Sequence, residues 1–248
     1  RRPPSSTLCP DTALLRSQQM DGVPFSGGLI GFAGYAFGLA LEGINSAHAA
    51  QADVPDMAVA LYEYAYAWDR QEKRCYVSGF SHDGYDSTRC VAAWHAVPEQ
   101  AEPAPSCASF TLEPDQSEVG YCQAVAQARA LIAAGDIFQV NLTGRYTAFL
   151  PDGVSKVDLY RRLRAHAPAP FGAYLSCGAD FSLLSCSPER FVSVSDRGAV
   201  ASRPIKGTAP RGQDAAQDEA FARMLAADEK ECAENLMIVD LMRHDIGR

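Results

Sequence analysis

Lys206 stands in SRPIKGTAPRG, residues 202–212, between Pro204-Ile205 and Gly207-Thr208, with Arg203 and Arg211 on either side. A primary amine held in so stiff a setting can act as a nucleophile if it is kept uncharged; a solvated loop lysine following a strand is the plain alternative. Glu189 lies in CSPERF, between the apolar runs FSLLSCS and RFVSVS, and Pro188 before it removes a ladder donor. Taken alone it is a turn acid. Glu231 and Glu234 are three positions apart and share a helix face with Ile238 and Leu241, so two carboxylates lead into an apolar seam. Like charges so placed repel unless a cation joins them, and oxygen ligands favour magnesium (Mg2+). Acids in the first turn of a helix also suit its dipole without any metal.

These side chains need elements to hold them. RFVSVS and GAVASRPI flank Asp196-Arg197-Gly198, a hairpin turn signal. Pairing 190–195 with 199–204 puts Glu189 and Lys206 at the same end of two neighbouring strands, where an acid/base pair and a salt bridge are equally available. NLMIVDLM is apolar on nearly every side and predicts a buried helix headed by Glu234.

Upstream, acids after Ser117 and the spacing of Val119, Cys122, Val125, Ala126 and Leu131 predict a helix that stops at Gly135. IFQVNLTGRYTAFL, 137–150, reads as a strand, and Ser155 with Asp158 opens a second helix in capping-box spacing. FGAYLSCG and FSLLSCS read as further strands, and helices resume at about 214.

Nearer the N-terminus, GGLIGFAGYAFG predicts a strand leading into a tight turn, with small residues that admit another backbone. Residues 57–80 alternate as two strands of one hairpin around Asp69–Lys73, and 85–97 reads as a helix. PEQAEPAPSCAS, with three prolines, reads as a linker. Many antiparallel strands with helices grouped between them make the expected class α+β, antiparallel sheets layered with helices. The expected division is an N-terminal α+β region over 1–110 and a second region over 111–248.

Composition narrows the functions. A content of 47% hydrophobic residues supports a sizeable core, and the net charge of −8 comes from scattered acids without a basic stripe, which argues against nucleic acid. No apolar run approaches the roughly 20 residues of a membrane span, and the N-terminus lacks a signal-peptide core, so no membrane is expected and the cytoplasm is the expected location. Eight cysteines form no C-x-x-C pair and do not read as a disulfide framework. Phosphate-loop and G-x-S-x-G motifs are missing.

IFQVNLTGRY (137–146), PAPFGAYL (168–175), SCSPERF (185–191), RPIKGTAPRG (203–212) and ENLMIVDLMRHDIGR (234–248) occur in this order, and together they resemble the chorismate-utilising enzyme family. PFSGGLIGFAGYAFG (24–38) resembles its N-terminal region, so the similarity runs from about residue 24 to the end. The resemblance implies an anthranilate-synthase-like fold, incomplete here because the family's catalytic region continues past Arg248, and a chain inactive alone. Within the family, aminodeoxychorismate synthases carry lysine where this chain has Lys206, and anthranilate synthases usually carry alanine. Gln139 falls where the water-using members have a lysine, which speaks against water as nucleophile.

The resemblance thus implies amination of chorismate to 4-amino-4-deoxychorismate, on the way to p-aminobenzoate and folate, with ammonia from a glutamine amidotransferase partner. In that scheme Lys206 is the nucleophile and Glu189 the acid that protonates the departing hydroxyl, with Gln139 and Thr208 on the substrate. Glu234 and Glu231 hold Mg2+, and Pro170 and Phe171 line a tryptophan pocket found in some members. Anthranilate synthesis, and a non-catalytic piece that only docks an amidotransferase, are the alternatives.

Overall fold

The computed structural model describes residues 25–45, 54–79, 86–96, 110–178 and 181–247. Two compact units emerge: 1–103 with 175–183, and 104–174 with 184–248. The expected linker at 98–109 lies outside the described residues.

The first unit begins with β1 (Gly28–Ala33), α1 (Tyr35–Leu41), β2 (Met57–Tyr62), β3 (Tyr64–Asp69), β4 (Arg74–Gly79) and α2 (Ser87–Ala96). β1 pairs antiparallel with β2, Gly31 opposite Val59. Here the glycine is required, since a Cβ at Gly31 would lie 2.1 Å from the Ala58 carbonyl oxygen. The expected tight turn after β1 is instead α1, in keeping with the helix-forming alanines and leucines of YAFGLAL.

Residues 57–79 form three strands, one more than their alternation predicts. β2 is claimed by β1, while β3 pairs with β4 around the anticipated turn. The Asp69 carboxylate accepts the Gln71 and Glu72 amides at 2.8 and 3.0 Å and so closes that turn. α2 packs on β4, and Cys75, Ser78 and Cys90 are buried there. Tyr66 donates its hydroxyl to the Cys90 carbonyl and sets its ring 5.0 Å from that of Trp94.

The second unit contains β5 (Glu113–Pro114), α3 (Glu118–Ala134), β6 (Tyr146–Thr147) and α4 (Lys156–His166). Next come β7 (Phe171–Ser176) and β8 (Ser182–Ser187), which pair with each other. Then follow β9 (Ser193–Val194), β10 (Val200–Ala201), α5 (Ala215–Ala227) and α6 (Glu229–Ile246). Residues 175–183, at the β7–β8 connection, group with the first unit. The Ser117 hydroxyl caps α3 by accepting the Gly120 amide at 3.1 Å, and Gly135 ends the helix in the left-handed conformation at φ 82°. Ser155 caps α4 through the Asp158 amide at 3.0 Å.

Two expectations fail in this unit. Residues 137–150 are irregular except at Tyr146–Thr147, which pair with β5. A strand needs a partner for its amides, and along the rest of the segment no described strand supplies one. NLMIVDLM is helical as predicted but not buried, because only Ile238 is shielded while Leu236 and Val239 are 69% and 42% exposed. Among the described residues no helix is long and apolar enough to cross a membrane.

Candidate active site

β9 and β10 pair with Val194 opposite Val200 and Ser193 opposite Ala201. Carried outward, the same register puts Glu189 opposite Ile205. The contact is realised: the Ile205 amide donates to Glu189 Oε1 at 3.1 Å, so the carboxylate is anchored to the residue before Lys206. Ser187 steadies the acid, accepting the Glu189 amide at 3.3 Å and donating to its carbonyl at 2.8 Å. Glu189 is half-buried.

From this loop Lys206 reaches α6. Its Nζ lies 4.0 Å from Glu234 Oε1, with the two side chains 27% and 39% exposed. The backbone turns left-handed immediately after, at Gly207 with φ 74°, and a Cβ there would fall 2.6 Å from Glu231 Oε2 and 3.1 Å from Glu231 Cβ. Glycine is needed twice over: for the dihedral, and for the close approach to α6. α6 is started by Asp228, whose carboxylate accepts the Glu231 amide at 3.0 Å. Ser202 ties the strand end to the same helix, donating to Met242 Sδ at 3.6 Å.

Lys206, Glu189, Glu231 and Glu234 are therefore joined through two turns of α6 and one loop. The far end of that loop is clamped by Arg211 and Asp218, which form paired hydrogen bonds of 2.7 Å each, while the Gly212 amide adds a bond of 2.8 Å to the same carboxylate. The Arg211 guanidinium, then the Gly212 amide, hold the Asp218 carboxyl below its ordinary range. Arg211 is thus engaged by Asp218 and stays 88% exposed, so it is not a source of positive charge for the lysine.

Of the remaining expected residues, Thr208 follows in the same loop as Lys206, while Gln139, Pro170 and Phe171 lie on other segments. Gln139 is half-buried in the irregular segment and Thr208 is exposed; among the described residues neither makes a side-chain hydrogen bond to the cluster. Pro170 and Phe171 are exposed at the start of β7, where the Arg190 guanidinium sits 5.5 Å from the Phe171 ring centroid.

Sequence reasoning missed two side chains. Lys230 pairs with Glu231 at 3.1 Å, and the hydrogen bond to that carboxylate raises the pKa of Lys230. Asn235, one turn beyond Glu231, has a buried Oδ1 with no hydrogen-bond partner. Lys230 was detectable as a cation beside the acid; Asn235 carries no signal apart from its helix phase.

An amine near a carboxylate, an acid bound to the amide of the preceding residue and a second carboxylate on the same helix are groups that can serve nucleophilic and acid/base chemistry. The chorismate binding enzyme family matches residues 3–248, and the chain belongs to it. It is 39% identical over 238 residues to aminodeoxychorismate synthase component 1 of Klebsiella aerogenes, covering 94% of this chain and 50% of that protein. Anthranilate synthase component 1 of Streptomyces coelicolor is 33% identical over 244 residues, 91% of this chain and 47% of the relative. The crystal structure of anthranilate synthase component I from Streptococcus pneumoniae TIGR4 superposes with a TM-score of 0.76 at 31% identity, over 94% of this chain and 53% of that one. The α+β, anthranilate-synthase-like fold is borne out, and the chain spans about half the length of the curated relatives it matches.

Proposed function

We propose that this chain carries the nucleophile-bearing part of an aminodeoxychorismate synthase component 1, which converts chorismate and ammonia to 4-amino-4-deoxychorismate and water. The observation that supports it most is Lys206 placed 4.0 Å from Glu234, with Glu189 bound to the amide of the preceding residue. As a free amine, Lys206 attacks ring carbon C2 while the C4 hydroxyl departs with a proton from Glu189. Proton donation to so poor a leaving group is typically worth about 10²–10⁴-fold. Ammonia then adds at C4, the C2–nitrogen bond breaks, and the lysine amine is regenerated. The detour through C2 delivers the amino group to the carbon that bore the hydroxyl. Gln139, in place of a water-activating lysine, fits a reaction in which water is excluded as nucleophile.

The residues present fit a magnesium ion. Glu231 and Glu234 are hard oxygen donors one turn apart, and the orphaned Asn235 Oδ1 lies on the same stretch of helix. Among the described residues no group of three or more His, Cys, Asp or Glu is poised for a metal, so the protein ligands are few, as magnesium tolerates. When bound, the cation would neutralise the substrate carboxylate; Glu234 and Glu231 would hold it there. Ammonia is assigned to a glutamine amidotransferase, in keeping with the component 1 designation of the relatives. The reaction belongs in the cytoplasm.

Intact mass spectrometry of a full-length protein that carries this chain together with the rest of the family's catalytic region, given chorismate and Mg2+ but no ammonia, tests this reading: an adduct of chorismate less water is expected, and Lys206→Ala abolishes it. An adduct persisting in that variant would remove the lysine from the mechanism. Anthranilate synthesis is the second reading, favoured by the structural match. Anthranilate as the product released with ammonia would establish it.

A further inference from the structure

We infer that Lys206 is an internal counter-ion for the cation site: its amine lies 4.0 Å from Glu234, and a divalent cation that binds this carboxylate competes with it. This rests on the cation site proposed above. Both carboxylates assigned to the cation already face a lysine, Glu234 facing Lys206 and Glu231 facing Lys230. The two lysines are not equivalent. Lys230 is 81% exposed on the same helix as its partner, and it can swing into solvent when a cation arrives at little cost. Lys206 is 27% exposed and is tethered by a loop seated on α6 at Gly207, clamped at Arg211 and bound at Ile205. Its charge cannot leave the neighbourhood of Glu234 freely, so a dication approaching this carboxylate meets a nearby positive charge.

Competition of this kind is reciprocal. Whatever factor the lysine takes from cation affinity, the cation takes from the lysine–carboxylate pair. Cation loading would then release the amine from Glu234 before it is used, giving an order of events in which metal precedes nucleophile.

The test is a Mn²⁺ titration of the full chain, read from the electron paramagnetic resonance signal of free Mn²⁺, with circular dichroism confirming that each variant is folded. Lys206→Met should bind Mn²⁺ about three- to tenfold more tightly than the unaltered chain, from the loss of a competing charge at this separation. Lys206→Arg, which keeps the charge, should stay within about twofold, and so should Lys230→Met. In a Glu234→Gln background the Lys206→Met gain should vanish. Equal or weaker Mn²⁺ binding by Lys206→Met, a similar gain from Lys206→Arg, or no Mn²⁺ binding by any variant would overturn the inference. The chorismate adduct separates this from the proposed function. An adduct without the Mn²⁺ gain removes the competition and leaves the chemistry, whereas a gain without an adduct does the reverse.

Discussion

Replacing Gly207 by alanine probes whether the lysine loop is seated on α6 as closely as the structure shows. Two costs combine at this position. At φ 74° a non-glycine residue loses about 1–2 kcal/mol to left-handed strain. The new methyl would also meet Glu231 at 2.6 Å from Oε2 and 3.1 Å from Cβ. The carboxylate can rotate away, at the expense of the Lys230 pair; the helix-borne Cβ cannot, so the loop must shift. Overpacking of this kind costs about 1–3 kcal/mol. Gly198 supplies the control, with φ 77° and no heavy atom within 4 Å of its notional Cβ, so Gly198→Ala bears the dihedral cost alone.

Urea unfolding of the two variants should therefore differ by about 1–3 kcal/mol, with Gly207→Ala the weaker. In thermal melts each kcal/mol of that difference appears as about 2–4 °C for a chain of this size. In a Glu231→Ala background the gap should narrow only by the cost of turning the carboxylate aside, since the Cβ at 3.1 Å remains. Equal destabilisation by Gly207→Ala and Gly198→Ala would show that the loop does not sit on the helix, and the placement of Lys206 would lose its support.

Other consequences can be measured directly. Because Arg211 and the Gly212 amide depress the Asp218 carboxyl, its contribution is present above about pH 4 and is lost as pH falls through its lower folded value. The Gly212 amide resonance should follow that acid transition, and in Asp218→Asn it should not. Burial pushes the Cys75 thiol up, so iodoacetamide at pH 8 should modify Cys122, Cys177 and Cys232 at least about tenfold faster than Cys75 or Cys90, as peptide mapping would show. Comparable rates would mean that the first unit is open. Ser117→Ala removes the hydroxyl that accepts the Gly120 amide and should cost about 1 kcal/mol in urea unfolding; no change would place the start of α3 elsewhere.

Local rules made some of this architecture readable before any coordinates. Ser117 and Gly135 bracket α3 because caps act within one turn, and Asp196-Arg197-Gly198 sets a hairpin whose register alone carries Glu189 to Ile205. Family membership was readable from five short segments occurring in order. Partnering was harder to read. Whether 137–150 forms a strand depends on a neighbour that residues 137–150 do not encode, and MAVALY alternates equally well as the start of the strand that ends at Asp69 or as a separate strand paired with β1. The apolar run in α6 announces that its face is meant to be covered, but says nothing about what covers it. Lys230 was legible only as a cation adjacent to Glu231, since the pairing itself depends on side-chain rotamers.

Ser195 and Ala199 close the turn of the β9–β10 hairpin with a 2.9 Å backbone bond, and three residues lie between them. That loop works as a gauge block: its length alone decides which backbone amide the Glu189 carboxylate finds on the opposite chain. Adding one residue at the tip, well away from any reacting atom, would leave every functional group in place by identity yet bring the acid to the wrong rung.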